Sequence, residues 1–293
     1  MNACAPDPAA GPAAAFELLP ARGGETAVVF ASPHSGRVYP EALTSASRLG
    51  AAELRRSEDA FVDRLVAGAP GLGVSLLRAR YARAYVDLNR EPYELDPAMF
   101  EDDLPAFARP RTARVAAGIG AIARVVGEGQ EIYARKLTFA EARERIEAVH
   151  APYHAALAAL IEAARARWGA CVLVDWHSMP AAAGRNGGRR TTDLVLGDRF
   201  GGACASGVTA LVEATLARMG YAVARNTPYA GGYTTETYGR PGRGVHALQI
   251  EINRDLYLDE ATLQPTAGFG NLAANLERLT RVLAETDWSG LRP

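Results

Sequence analysis

Cys171-Val-Leu-Val-Asp-Trp-His177-Ser-Met-Pro180 decides the fold. Its apolar run, broken first at Asp175 and again at His177, is the pattern of a strand buried on both faces, the habit of parallel sheets in α/β proteins. The segment before it, Thr138 to Trp168, places Ala142, Ile146, Val149, Tyr153, Leu157 and Leu160 on one stripe. That spacing predicts a long amphipathic helix, bent or divided by Pro152, and helix followed by strand is the order of a βαβ crossover. Ala27-Val-Val-Phe-Ala-Ser-Pro-His34-Ser-Gly36 repeats the form, with a strand over 26–32 that runs out at a second histidine. Ligand crevices of open α/β sheets lie outside the carboxyl ends of their strands. Two imidazoles delivered there, in a chain with five histidines, point to metal ligation or general-base chemistry rather than to two unrelated turn histidines.

Working outward, Ser57 reads as the cap of a helix with Glu58 and Asp59 in its first turn and Phe61, Val62, Leu65 and Val66 on its apolar side. Short strands are expected over 72–77 and 84–88, then an irregular stretch over 91–137 apart from a helix around 111–126. Strand 193–196, helix 206–219, strand 221–224, strand 244–253 and helix 266–284 complete the series. The Ala/Pro/Gly-rich residues 1–24 read as a flexible lead, and 25–293 as a single catalytic α/β domain with elaborated loops. No internal repeat or composition break marks a second domain. A three-layer α/β/α sandwich with a mixed central sheet is the expected architecture.

With 48% apolar residues the chain can bury a sizeable core. A formal net charge of -1 supplies no global field for nucleic acid or anionic lipid. The basic cluster Arg185, Arg189 and Arg190 lacks aromatic interleaving and reads as a mobile loop. Cys4, Cys171 and Cys204 are too few for a disulfide framework, and Cys171 reads as core. No run reaches the ~20 apolar residues that cross a bilayer. The first twelve residues have neither a basic nor an apolar signal region, so cytoplasmic residence is the default expectation.

Two histidines do not complete a metal site. Zinc in a catalytic site takes three protein ligands, commonly two histidines and a carboxylate, and Glu58 and Asp59 are the candidates for the third. Asp175 lies two residues before His177, on the same side of an extended chain, where it could fix the imidazole tautomer or cap a turn. Glu251 stands inside the apolar alternation Val245, Ala247, Ile250, Ile252. A carboxylate there needs a purpose or a partner: it is either a water-activating base or the partner of Arg254. His246 is a second-shell or substrate contact, or a satisfied histidine. Arg83, Asn89 and Arg90 offer cation and amide groups for an anionic, amino-acid-like substrate, with Arg225, Arg240 and Arg243 as further candidates.

Other chemistries are disfavoured. The glycine-rich segments around Gly197 and Gly231 lack the context of a dinucleotide or phosphate loop. His150 and His154 stand i,i+4 without the glutamate of a zincin helix, and no GxSxG elbow occurs.

In order and spacing, Ser32-Pro-His34-Ser-Gly, Ser57-Glu-Asp59, Arg80 to Arg90, Asp175-Trp-His177-Ser, Gly231 to Gly239 and Gly244 to Glu260 resemble the N-formylglutamate amidohydrolase (formylglutamate deformylase) family. The resemblance implies a fold akin to zinc carboxypeptidases and acylamino-acid deacylases. It implies hydrolysis of N-formyl-L-glutamate to glutamate and formate, a closing step of histidine degradation, with one Zn2+ as cofactor. By the same resemblance His34, His177 and Asp59 look like zinc ligands, with Glu58 as the fallback for Asp59. Glu251 looks like the base, and Arg83, Asn89 and Arg90 like contacts to a small anionic N-acyl amino acid. Some relatives carry a basic residue where this chain has Glu236. A deacylase or carboxypeptidase for another N-acyl amino acid or small peptide, and a non-catalytic binding domain, are the competing readings.

Overall fold

The computed structural model describes residues 14–127 and 129–293; Cys4 and most of the expected lead lie outside them. Seven strands form one sheet: β1 (Phe16–Leu19), β2 (Val28–Ser32), β3 (Ser75–Ala79), β4 (Cys171–Met179), β5 (Leu194–Gly197), β6 (Val223–Arg225) and β7 (Val245–Asn253). Their order is β1-β3-β2-β4-β7-β5-β6. Strands β3, β2, β4 and β7 are parallel neighbours, whereas β1 runs antiparallel to β3 and β5 antiparallel to β7. The sheet is therefore mixed, with a parallel centre. Phe16–Leu19 falls within the expected lead but pairs residue for residue with Leu76–Ala79 as an edge strand.

The helices, in chain order, are α1 (Val62–Leu65), α2 (Phe139–Arg145), α3 (Ala151–Trp168), α4 (Ser206–Arg218), α5 (Tyr233–Tyr238) and α6 (Gly268–Glu285), besides single turns at Glu41–Thr44, Ala51–Leu54 and Ala113–Ala116. Side-chain alternation sorts the two faces of the sheet. Val29, Ala31, Cys171, Leu173, Val245 and Ala247 pack with Ile146, Val149, Tyr153, Leu157 and Ile161 from the α2–α3 layer. Val28, Phe30, Val172, Val174, Trp176, Leu248, Ile250 and Ile252 pack with α1, α4 and α6. This is the expected α/β/α sandwich, and two cores flanking one sheet follow from period-2 alternation in strands buried on both faces.

The long helix is divided where Pro152 predicts. Thr138 and Glu141 close a reciprocal cap, Glu141 N–H to Thr138 Oγ1 at 3.3 Å and Thr138 N–H to Glu141 Oε2 at 2.8 Å. A π turn over Ile146–His150 then joins α2 to α3. Proline has no N–H and its ring crowds the carbonyl four residues back, and a wider turn accommodates both.

Three expected elements change. Ala84–Leu88 forms turns instead of a strand; Ala84, Val86 and Leu88 are apolar because they are buried against the α2–α3 layer, not because they alternate on a pleat. The helix expected around 111–126 shrinks to Ala113–Ala116, since the chain turns at Gly118, whose φ is +77°. The helix expected from Ser57 starts only at Val62, because Phe61 adopts a left-handed φ of +64°. Glu58 and Asp59 therefore lie in an extended segment ahead of it. Arg185–Asn186 and Arg189–Arg190 form a small exposed ribbon.

Candidate active site

Parity along β4 and β7 builds the centre. Asp175 and His177 share a face with Cys171 and Leu173, and Gln249 and Glu251 share the face of Val245 and Ala247. The parallel register sets Gln249 beside Asp175 and Glu251 beside His177. The face is apolar along its first half and polar at its carboxyl end, where β2 also delivers His34.

Three atoms converge there. His34 Nδ1 lies 3.0 Å from His177 Nδ1, and Asp59 Oδ2 lies 3.3 Å from the first and 3.2 Å from the second. All three residues are buried, and they form a group able to hold a metal ion. Donors about 2.0–2.1 Å from a tetrahedral ion stand roughly 3.3–3.4 Å apart; the two Asp59 spacings come close to this, and the two imidazole nitrogens stand nearer together. Behind each ring is a carboxylate: Asp87 Oδ1 is 2.7 Å from His34 Nε2, and Asp175 Oδ2 is 2.9 Å from His177 Nε2. The second contact is an ion-pair distance off the hydrogen-bond axis. At His34 the hydrogen bond from the far nitrogen to Asp87 selects the tautomer whose Nδ1 lone pair faces the centre.

Asp59 reaches this position because its N–H donates to the His34 carbonyl at 3.0 Å. Its other oxygen, Oδ1, accepts from Arg254 at 3.2 Å and Ser178 at 3.3 Å. Glu58 turns the opposite way: Oε1 accepts from Tyr39 at 2.6 Å and Arg55 at 3.0 Å. Adjacent residues in an extended segment point to opposite sides, so Glu58 faces away from the three converging atoms. Burial pushes the Asp59 carboxyl up, but His177 and His34 overcome it and hold the group well below the usual range. Burial opposes charge on His177, yet Asp175 and Asp59 hold its pKa well above normal. An ion at these atoms would displace protons that the three groups otherwise share.

Glu251 is buried beside them. Burial pushes its carboxyl up to about 7, with His177 opposing and Asp59 reinforcing; a bound cation would draw it back down. The expected alternative partner, Arg254, is committed elsewhere, to Asp59, to Ser178 Oγ at 3.1 Å and to the Glu58 carbonyl at 2.8 Å.

The centre opens into a cavity of about 430 Å3 whose wall includes Arg56, Arg83, Asn89, Arg90, Arg114 and Arg254. Arg83 donates to Asp87 Oδ2 at 2.7 Å, joining the cavity wall to the carboxylate behind His34. Arg90 donates to the carbonyls of Ile119 at 2.9 Å and Asn89 at 2.8 Å. Asn89 lines the cavity but its amide is committed: Oδ1 accepts from Thr234 N–H and Nδ2 donates to Gln249 Oε1, with Nδ2 also 3.2 Å from His177 Nε2. Part of the 91–137 stretch, Arg114, Ile119, Ala123 and Val125–Gly127, forms one side of the cavity. Arg225, Arg240 and Arg243 stand outside the cavity wall, as does Glu236, which pairs with Arg199 at 3.3 Å.

His246 belongs to the other face of β7. Its Nδ1 accepts from Ala205 N–H and its Nε2 donates to the Leu291 carbonyl, each at 3.2 Å. It is a satisfied structural histidine, with no contact to the centre. Glu251 stands five positions further on, an odd offset that places the two on opposite faces of a strand. The same parity marks Gln249, two before Glu251, which the sequence reading passed over. Asp87 carried no such signal, because it lies in a run of turns.

A buried His–Asp–His group with a carboxylate beside it, at the carboxyl edge of a mixed α/β sheet, defines this protein's class as a hydrolase. The chain belongs to the N-formylglutamate amidohydrolase family, whose model matches residues 26–258. It is 31% identical to the N-formylglutamate deformylase of Pseudomonas aeruginosa, covering 92% of this chain and 96% of that one. Identity with the Pseudomonas putida enzyme of the same name is 28%, covering 83% and 86%. The crystal structure of N-formylglutamate amidohydrolase from Ralstonia eutropha superposes with a TM-score of 0.88 at 39% identity, covering 94% of this chain and 99% of that one. No helix among the described residues is long and apolar enough to cross a membrane.

Proposed function

We propose that this chain hydrolyses N-formyl-L-glutamate to L-glutamate and formate, with one zinc ion held by His34, Asp59 and His177. The carrying observation is the convergence of His34 Nδ1, His177 Nδ1 and Asp59 Oδ2 within 3.3 Å of one another, beside Glu251. Two nitrogens and one carboxylate oxygen suit zinc, and the carboxylates behind both rings suit ligating imidazoles. A bound zinc would supply Lewis-acid polarisation and make water more acidic.

The chain's own residues supply the remaining functions. Glu251 accepts a proton from the attacking water as the water oxygen bonds to the formyl carbon. As the C–N bond breaks, Glu251 returns that proton to the departing nitrogen. Arg83 and Arg90 bind the carboxylates of the small anionic N-acyl amino acid, with Arg56 and Arg114 adding positive charge to the same cavity. With this substrate the chain would serve histidine degradation.

The test is formate release by zinc-loaded protein from N-formyl-L-glutamate, run beside N-formyl-aspartate, N-acetyl-glutamate and a blocked dipeptide. The highest kcat/KM is expected for N-formyl-L-glutamate. Preference for the dipeptide or the acetyl compound would move the assignment to a carboxypeptidase or another deacylase. Tight binding with the substrate recovered intact would make it a binding domain.

A further inference from the structure

Gln249 has no part in the activity as stated, yet it makes the one protein hydrogen bond that Glu251's side chain accepts among the described residues. Its Nε2 donates to Glu251 Oε1 at 2.8 Å. We propose that Gln249 is a positioning residue that fixes the Glu251 carboxylate, leaving Oε2 as the oxygen that takes and returns the proton. This rests on the reading of Glu251 as the base.

The orientation of the amide is dictated by backbone groups that can only donate. Gly232 N–H lies 2.8 Å from Gln249 Oε1, and Thr234 N–H lies 2.8 Å from Asn89 Oδ1. Asn89 must therefore turn its NH2 inward, where Nδ2 reaches Gln249 Oε1 at 3.3 Å. Gln249 Oε1 thus accepts twice, and its NH2 has only Glu251 to face. Flipping Gln249 would bring its NH2 against two other donors and set its carbonyl oxygen against a carboxylate. An Oε1 that already receives an N–H is the poorer site for a proton, so proton transfer is confined to Oε2.

The same relay explains Gly232, which has no phosphate-loop context. A Cβ on Gly232 would stand 2.4 Å from Asn89 Nδ2 and 2.6 Å from its Oδ1, so the Asn89 amide needs a glycine there. The cavity-lining loop 228–232 is thereby tied through Asn89 and Gln249 to Glu251. Strand parity carries the rest, since residues two apart on β7 share a face.

The experiment is a double-mutant cycle of Gln249→Met and Glu251→Gln, read as kcat, KM and metal content. Gln249→Met should lower kcat about 10- to 100-fold, the scale of a hydrogen bond to a charged group, with KM and metal content unchanged. In the Glu251→Gln background the same change should cost less than about twofold, because no carboxylate remains to be fixed. Equal losses in both backgrounds, or no loss in the first, would overturn the proposal. Wild-type turnover by Glu251→Gln alone would instead overturn the base assignment, and the proposal with it.

Gly232→Ala serves where Gln249→Met does not fold. The glycine has φ −104°, open to alanine, and the added methyl disturbs the relay only by crowding Asn89. It should show a smaller kcat loss, of several-fold, with the same collapse in the Glu251→Gln background; equal losses in the two backgrounds would again count against the relay.

Discussion

Two histidine pairs in this molecule have nearly the same packing and opposite chemistry. His34 and His177 lie with ring centroids 4.7 Å apart at the edge of the sheet, and His150 and His154 lie 4.3 Å apart at the start of α3. Both pairs are buried. At the sheet edge each ring has a carboxylate behind it and its other nitrogen turned toward a shared point with Asp59. On the helix, His150 Nε2 donates to the Arg90 carbonyl at 2.9 Å and His154 Nε2 to the Leu88 carbonyl at 2.7 Å. Burial accordingly lowers the pKa of His150, and lowers that of His154 to about 3, whereas Asp175 and Asp59 overcome burial and raise that of His177. Proximity of imidazoles does not make a metal site; what the second nitrogen meets decides it. The helix pair holds neutral rings against the backbone of the loop that carries Asp87, Asn89 and Arg90, and so supports the first pair without sharing its chemistry.

That contrast can be broken in three places. The largest effect is expected at Glu251, the proposed base beside the sheet-edge pair. Glu251→Gln should retain metal and lower kcat by ~10²–10⁴, read in a formate-release assay; turnover within a few-fold of wild type would remove the carboxylate from the chemistry. A smaller effect is expected at Arg83, which links the cavity to the carboxylate behind His34. Arg83→Ala should lower kcat/KM by roughly 10- to 100-fold, the worth of a charge-assisted contact, and Arg90→Ala by less, because Arg90 is spent in part on two backbone carbonyls. Equal losses would show that the two arginines share one role.

The smallest effect separates the helix pair by stability. In the unfolded chain a histidine titrates near 6.5, but buried His154 stays neutral down to about 3. Between these values the unfolded state binds more protons, so stability rises with pH. The stability from this ring is present above about 6.5 and is lost as pH falls toward about 3. One such group contributes a slope of at most about 1.4 kcal/mol per pH unit. His154→Gln keeps an N–H for the Leu88 carbonyl and does not titrate. Urea unfolding from pH 4.5 to 7 should therefore be flatter for this variant, and an unchanged slope would show that His154 is not buried neutral.

The sequence exposed the sheet centre because β2, β4 and β7 are buried on both faces, and such strands announce themselves as apolar runs whose polar residues, His246 apart, gather toward the carboxyl end. His34, Asp175, His177 and Glu251 were legible for that reason. Parity could have gone further, placing Gln249 with Glu251 and setting His246 aside. The connections were less legible. The left-handed turn at Phe61, which takes Asp59 out of a helix and separates it from Glu58, is a backbone state that a phenylalanine does not advertise. The turns over 84–90 are held by long-range partners, among them Ala121 for the Asp87 N–H and two helix histidines for the Leu88 and Arg90 carbonyls. No local pattern encodes such partners, so a buried turn there looked like a strand.

Metal content per chain tests the central claim most directly, measured by elemental analysis of purified wild type, the double variant His34→Ala/His177→Ala and the double variant His150→Phe/His154→Phe. The account predicts one ion per chain in the wild type, none in the first variant and one in the second, folded fraction being matched by circular dichroism. A stoichiometric ion retained without His34 and His177 would contradict it.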